Sequence, residues 1–270
     1  MTLRWKNKMK TMLVTALFDI DRQHRGDGRS IVNYLEWFAK TLELQCDMTV
    51  YTEKRFKNFV LDHRKNNGYT TKIVVQKFNE IPFYKNKATI DDIISTAQYK
   101  NRMAYAGRLE CILGNYNVVI YSKYGWLSRA VDENPQHDYF LWVDAGISRF
   151  FEGFDTSLPW PNRKALDNSK FLIQANTEHF ENLHDKLSIA SHMWDGRSIL
   201  VATLFGGGRD IIKNMEYLIN DYCANVLFKD NCINNEQICM GLIWLDNPDI
   251  FDVRKFSGKT WLPLFLELSK

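Results

Sequence analysis

The chain has 270 residues, 45% of them hydrophobic and 14% aromatic, with 6 prolines; that is enough apolar mass for a folded core and excludes a disordered chain. A formal charge of +3 with acids and bases interspersed excludes the concentrated basic face of a nucleic-acid binder. No run approaches the roughly 18 apolar residues of a transmembrane helix, which leaves peripheral membrane contact open.

The basic start MTLRWKNKMK is followed by TMLVTALF, too short and too polar for a signal peptide and lacking a small-residue cleavage site. Residues 10–18 therefore read as a first strand, and the polar loop 21–30 gathers Arg22, His24, Arg25 and Arg29 around Gly26 and Gly28. An amphipathic helix is expected over 31–44 and a second strand over 47–51. Strand, helix and strand in about forty residues open a parallel α/β sheet. A helix over 56–65, a strand over 71–78, a long helical region over 88–113, a strand over 118–121 and a helix over 123–131 follow.

Next comes Tyr139-Phe140-Leu141-Trp142-Val143, five apolar or aromatic residues that read as a strand buried on both faces. Beyond a Pro-containing turn at 159–161, strands are expected over 171–175, 198–205 and 251–256, with helices over 209–226 and 234–245. The fold class is α/β, one continuous domain with a weak boundary near 150. Cys46, Cys111, Cys223, Cys232 and Cys239 lack metal-type spacing and read as reduced thiols in a cytoplasmic setting.

Asp144 closes the central strand. A buried carboxylate needs a cation, a metal or several donors, and Ala145 and Gly146 leave room for a ligand to reach it. A turn or helix cap is the plainer reading. Strand ends on the carboxyl side of open α/β sheets are where ligands bind. Asp19 and Arg22, after the first strand, suit a nucleotide base or ribose. Asp19-Ile20-Asp21 also resembles the nucleophile motif of haloacid-dehalogenase-type phosphatases, although Gln23 departs from it. Gly206-Gly207-Gly208 reads either as a close-approach site for a ligand before a helix N-terminus or as a plain turn.

Glu236 opens an apolar helix, as a general base or stabilising acid, or merely as a partner of the helix dipole. Arg102, Lys123 and Lys259 are candidates for phosphate contacts beside strand ends or loops. His179, His184 and His192 fit no tight metal motif. Trp160, Trp194 and Trp244 are candidates for an acceptor platform, with core packing the plainer role for Trp244.

The order of these pieces resembles the GT-A glycosyltransferases, whose D-x-D acids hold Mn²⁺ or Mg²⁺ against a donor diphosphate. Phe256-Ser257-Gly258-Lys259-Thr260-Trp261 is similar to the tail of glycogenin-like enzymes. More closely, Thr15-Ala16-Leu17-Phe18-Asp19 with Arg22, Met48-Thr49-Val50-Tyr51-Thr52, and Trp142-Val143-Asp144-Ala145-Gly146 resemble the HtrL/YibB family of bacterial and viral proteins, linked to surface-glycan loci. The resemblance implies a GT-A-like, Rossmann-type mixed sheet flanked by helices, with a nucleotide-sugar half over about 1–150 and an acceptor and catalytic half over about 151–270.

It also implies transfer from a nucleoside-diphosphate sugar, read as UDP-linked, to a glycan acceptor. Ala16, Phe18 and Arg22 would line the nucleoside, Lys123 would meet the diphosphate, and Asp144 would carry the metal. Two departures stand out. The D-x-D position reads Asp144-Ala145-Gly146, and Lys255 stands where a metal-binding His is usual, so Lys255 and Lys259 are alternatives to metal charge. A phosphatase, and a non-catalytic binding protein on a degenerate transferase fold, are the other functional classes.

Overall fold

The computed structural model describes residues 9–151, 153–162, 166–181, 186–196, 199–258 and 261–270. Seven strands form one mixed sheet: β1 (Thr11–Leu17), β2 (Asp47–Thr52), β3 (Thr71–Val75), β4 (Tyr139–Val143), β5 (Phe171–Asn176), β6 (Leu200–Gly208) and β7 (Phe251–Phe256). Their order is β3-β2-β1-β4-β6-β5-β7. β1, β2, β3 and β4 run parallel, with Leu13 opposite Leu141, while β6 runs antiparallel to β4 and β5. This is the expected α/β class with a mixed sheet, and the β4–β6 pair joins the two halves of the chain.

All five residues of β4 are buried, and they alternate between two cores as a strand's period of two requires. Tyr139, Leu141 and Val143 pack with Leu13, Leu17 and Phe38 on one face; Phe140 and Trp142 join Trp126, Met12 and Val14 on the other. Stacked rings link β4 to the covering helix, with Trp126 5.8 Å from Trp142 and 5.4 Å from Phe18.

The expected strand over 118–121 does not exist. Those residues belong to a single helix, Gly114–Glu133, buried along most of its length. A helix apolar nearly all round hides its own period, and Val118, Val119 and Ile120 then read as β-branched strand residues. The expected long helix over 88–113 is instead three pieces, Lys87–Ser95, Ala97–Arg102 and Leu109–Ile112. Thr96 interrupts it in an extended conformation and caps the second piece by accepting from Tyr99 N–H. β3 stops at Val75, short of 78. All five cysteines are buried. Among the described residues no helix is long and apolar enough to cross a membrane.

Candidate active site

A cleft lies at the carboxyl ends of β1 and β4, the place where open α/β sheets bind their ligands. Three short stretches build it, together with Arg22, Arg29, Ile31, Tyr34 and Thr203. Ala16 to Ile20 continue out of β1; Trp142 and Asp144 to Phe150 continue out of β4; and the Gly114–Glu133 helix supplies Tyr116, Val119, Ile120 and Lys123. The last four are spaced i, i+3, i+4, i+7, so they form one helical face turned to the cleft.

At its centre the Lys123 ammonium sits between two carboxylates, 2.9 Å from Asp144 Oδ1 and 2.8 Å from Glu236 Oε1, and donates to the Ala202 carbonyl at 3.0 Å. Asp144 Oδ1 also accepts the Trp142 indole N–H at 2.7 Å. Burial works against the charge on Lys123, but Asp144 and Glu236 outweigh it and hold the ammonium above its ordinary pKa. The lysine therefore stays protonated at neutral pH.

Arginines gather on the other side. Arg22 grips Asp27 at 3.1 and 2.5 Å, packs its guanidinium 5.4 Å from the Tyr34 ring and 5.3 Å from the Tyr116 ring, and donates to the Tyr34 hydroxyl. Arg29 reaches the same carboxylate at 3.4 Å. Arg149 lies over Trp37 at 5.5 Å and Phe150 at 4.6 Å. The cleft lining holds Arg22, Arg29, Lys123 and Arg149; Lys123 is matched by Asp144 and Glu236 while Arg22 and Arg29 share Asp27, so the positive side suited to an anionic ligand is the arginine side.

The structure brings together Ala16, Phe18, Asp19, Arg22, Lys123 and Asp144 in this one cleft. Glu236 stands behind it, 1% exposed and bonded to Lys123, so direct proton exchange with a substrate does not suit it. Gly206, Gly207 and Gly208 lie inside β6 rather than in a loop. They pair with Leu141, Phe140 and Tyr139, and the space a Cβ would need is filled by the Phe140 carbonyl, Ile211 and the Asn168 carbonyl. Close strand packing, not ligand approach, requires these glycines.

Arg102 stacks on Trp194 at 3.6 Å, away from the cleft lining. Lys255 is on the edge strand β7, its ammonium over Phe180 at 4.8 Å. Lys259 lies outside the described residues, as does His184. The three tryptophans form no common platform: Trp160 stacks on Phe265, Trp194 meets Tyr99, and Trp244 meets Phe180. Asp21 turns to His24 at 2.7 Å while Asp19 pairs with Arg55 at 3.2 Å, so the two acids of the phosphatase-like motif do not converge.

Tyr34, Tyr116 and Arg149 were not marked as cleft residues by any sequence signal read above, and Arg29 was placed only in the polar loop 21–30. The signal for Tyr116 was the helical spacing to Lys123, concealed once 118–121 was read as a strand.

The donor set does not fit a resident Mn²⁺ or Mg²⁺. Asp144 Oδ1 is taken by an indole N–H and an ammonium, so a divalent ion at Oδ2 would share one carboxylate with a lysine. The other cleft carboxylate, Asp19, is held by Arg55 and accepts from the Asp21 N–H. Among the described residues no three His, Cys, Asp or Glu side chains group as metal ligands.

A family model described as a bacterial protein of unknown function, HtrL_YibB, matches residues 9–268. The chain belongs to this family. No curated protein matches it. Among solved structures it is similar to a glycosyltransferase involved in glycosylation of the major capsid of PBCV-1, at 10% identity over 91% of this chain and 82% of that one, with a TM-score of 0.42. It is similar to 4-diphosphocytidyl-2C-methyl-D-erythritol synthase from Anaerococcus prevotii at 11% identity, covering 94% and 90%, with a TM-score of 0.41. Mouse xyloside xylosyltransferase 1 gives 9% identity, 91% and 84% coverage, and a TM-score of 0.39.

Proposed function

We propose that this member of the HtrL/YibB family is a glycosyltransferase that moves a sugar from a nucleoside-diphosphate donor, UDP-linked in the first instance, to a glycan acceptor. The observation that carries the reading is the Lys123–Asp144 pair at the mouth of β4, in a cleft with an aromatic and apolar end and a cluster of arginines on one side. Ala16 and Phe18 give the nucleoside an apolar surface, and Asp19 and Arg22 give it polar partners. Lys123 meets the diphosphate. All lining residues except Thr203 precede residue 151, so the first half holds the donor and the second half supplies the acceptor side.

In the reaction the acceptor hydroxyl oxygen bonds to the anomeric carbon. The bond from that carbon to the β-phosphate oxygen breaks, and the diphosphate leaves with the electron pair. Lys123 stabilises the charge that develops on it. The hydroxyl proton passes to Asp144, whose Oδ2 has no partner among the described residues, as a general base. Glu236 acts through Lys123, holding the ammonium in place.

The test is release of nucleoside diphosphate from a panel of UDP-, GDP-, CDP- and TDP-sugars with glycan acceptors. Wild type should turn over one donor class, and Asp144→Asn should lose at least about a hundredfold in rate while remaining folded by circular dichroism. Binding without turnover by wild type across donors and acceptors would instead favour a glycan- or nucleotide-binding protein. Turnover unchanged in Asp144→Asn would remove this site from the chemistry.

A further inference from the structure

The cleft's spare positive charge is not on its lysine. Lys123 is already matched by Asp144 and Glu236 at 2.9 and 2.8 Å. It belongs to the arginine side, where Arg22 and Arg29 share the single carboxylate of Asp27. Arg149 has no carboxylate partner among the described residues and instead packs against Trp37 and Phe150. Packing a guanidinium face on rings fixes its plane and leaves its N–H edge free for a ligand.

Burial and the nearby Arg29 and Arg22 push the Arg149 pKa down, against the pull of Asp144. Like charges are thus crowded in a half-enclosed place with too few acids, an arrangement that a bound anion relieves. Guanidinium forks match phosphate oxygens in geometry as well as charge. A single carboxylate already tied to an ammonium, by contrast, is a poor seat for a divalent ion.

We propose that Arg149, with Arg29 and Arg22, forms the diphosphate-binding cradle of the cleft and replaces a divalent metal, so that the donor binds without one. The inference rests on the donor-site reading above and adds to it the groups that neutralise the diphosphate. Arg149 binds the phosphate oxygens directly. Arg29 and Arg22 supply the field around them, with Asp27 fixing the orientation of Arg22.

Calorimetric titration of UDP, GDP, CDP and TDP, each in EDTA and in Mn²⁺, tests this on wild type, Arg149→Ala and Arg149→Lys. The corresponding free nucleosides serve as controls. One diphosphate should bind with the same affinity in both media. Arg149→Ala should weaken it about tenfold or more without weakening the nucleoside, and Arg149→Lys should recover part of the loss. Arg149 is exposed at the cleft rim, so both variants should melt with wild type.

Binding only in Mn²⁺ would overturn the metal-free cradle while sparing the donor site. Wild-type affinity in Arg149→Ala would overturn the role of Arg149. No binding of any nucleotide in either medium would bring down the donor-site reading, and the cradle with it.

Discussion

The Glu236 carboxylate lies 2.8 Å from the Lys123 ammonium and has almost no contact with solvent, so its charge reaches the cleft through that lysine. Its second oxygen, Oε2, has no hydrogen-bond partner among the described residues. A buried acid so placed is costly unless its partner is charged. The helix starting at Glu236, capped by the Asn235 side chain accepting from Gln237 N–H, sets this carboxylate against Lys123 on the side away from the cleft.

Glu236→Gln therefore should alter when Lys123 loses its proton. Asp144 and Glu236 together hold the lysine above its ordinary pKa; removing one lowers it. The alkaline limb of the pH–rate profile should move to lower pH in the variant. A uniform loss of rate with an unmoved limb would mean that Glu236 is structural only.

Lys123→Met should be far more damaging to the fold, because it strands two carboxylates. A loss of about 3–5 kcal/mol in chemical denaturation at neutral pH is expected for breaking a buried pair. Since the folded-state pKa of Lys123 is raised, its stabilisation is present below the ordinary lysine pKa of about 10.4 and lost as pH rises through the folded value. The gap between wild type and variant should hold through neutral pH and shrink only in strong alkali.

Gly206→Ala tests the packing role of the glycine run. A Cβ there meets the Phe140 carbonyl and the Leu141 Cα across the β4–β6 pair, neither of which can yield without moving the central strand. Stability should fall by about 3 kcal/mol or more, read as a lowered melting temperature in the absence of any ligand. A variant that melts normally but binds nucleotide poorly would return the glycines to the ligand site.

Much of the first half was legible because its signals are local. Five apolar residues bounded by Asp138 and Asp144 mark β4, and the strand end then places Asp144 by the ordinary rule for parallel sheets. Asp19 and Arg22 follow from β1 in the same way. Lys123 was legible as a cation but not as a helix face, because the Gly114–Glu133 helix is buried on several sides and shows no clean period. Glu236 was found for the wrong reason: its sequence position says helix start, while only the tertiary arrangement puts a lysine between it and the cleft. The glycine run misled because Gly206 to Gly208 serve strand packing across 60-odd residues of sequence, which no local pattern encodes. Arg149 had no sequence signal beyond its place in a short turn, Ile147–Phe150.

The most direct test of the account is the crystal structure of the protein with the tightest-binding nucleoside diphosphate. The nucleoside is expected against Ala16, Phe18 and Arg22, and the diphosphate between Lys123 and Arg149. A nucleotide seated elsewhere, such as the surface depression formed by Asp138, Asn168, Arg209 and Asn214, would contradict it.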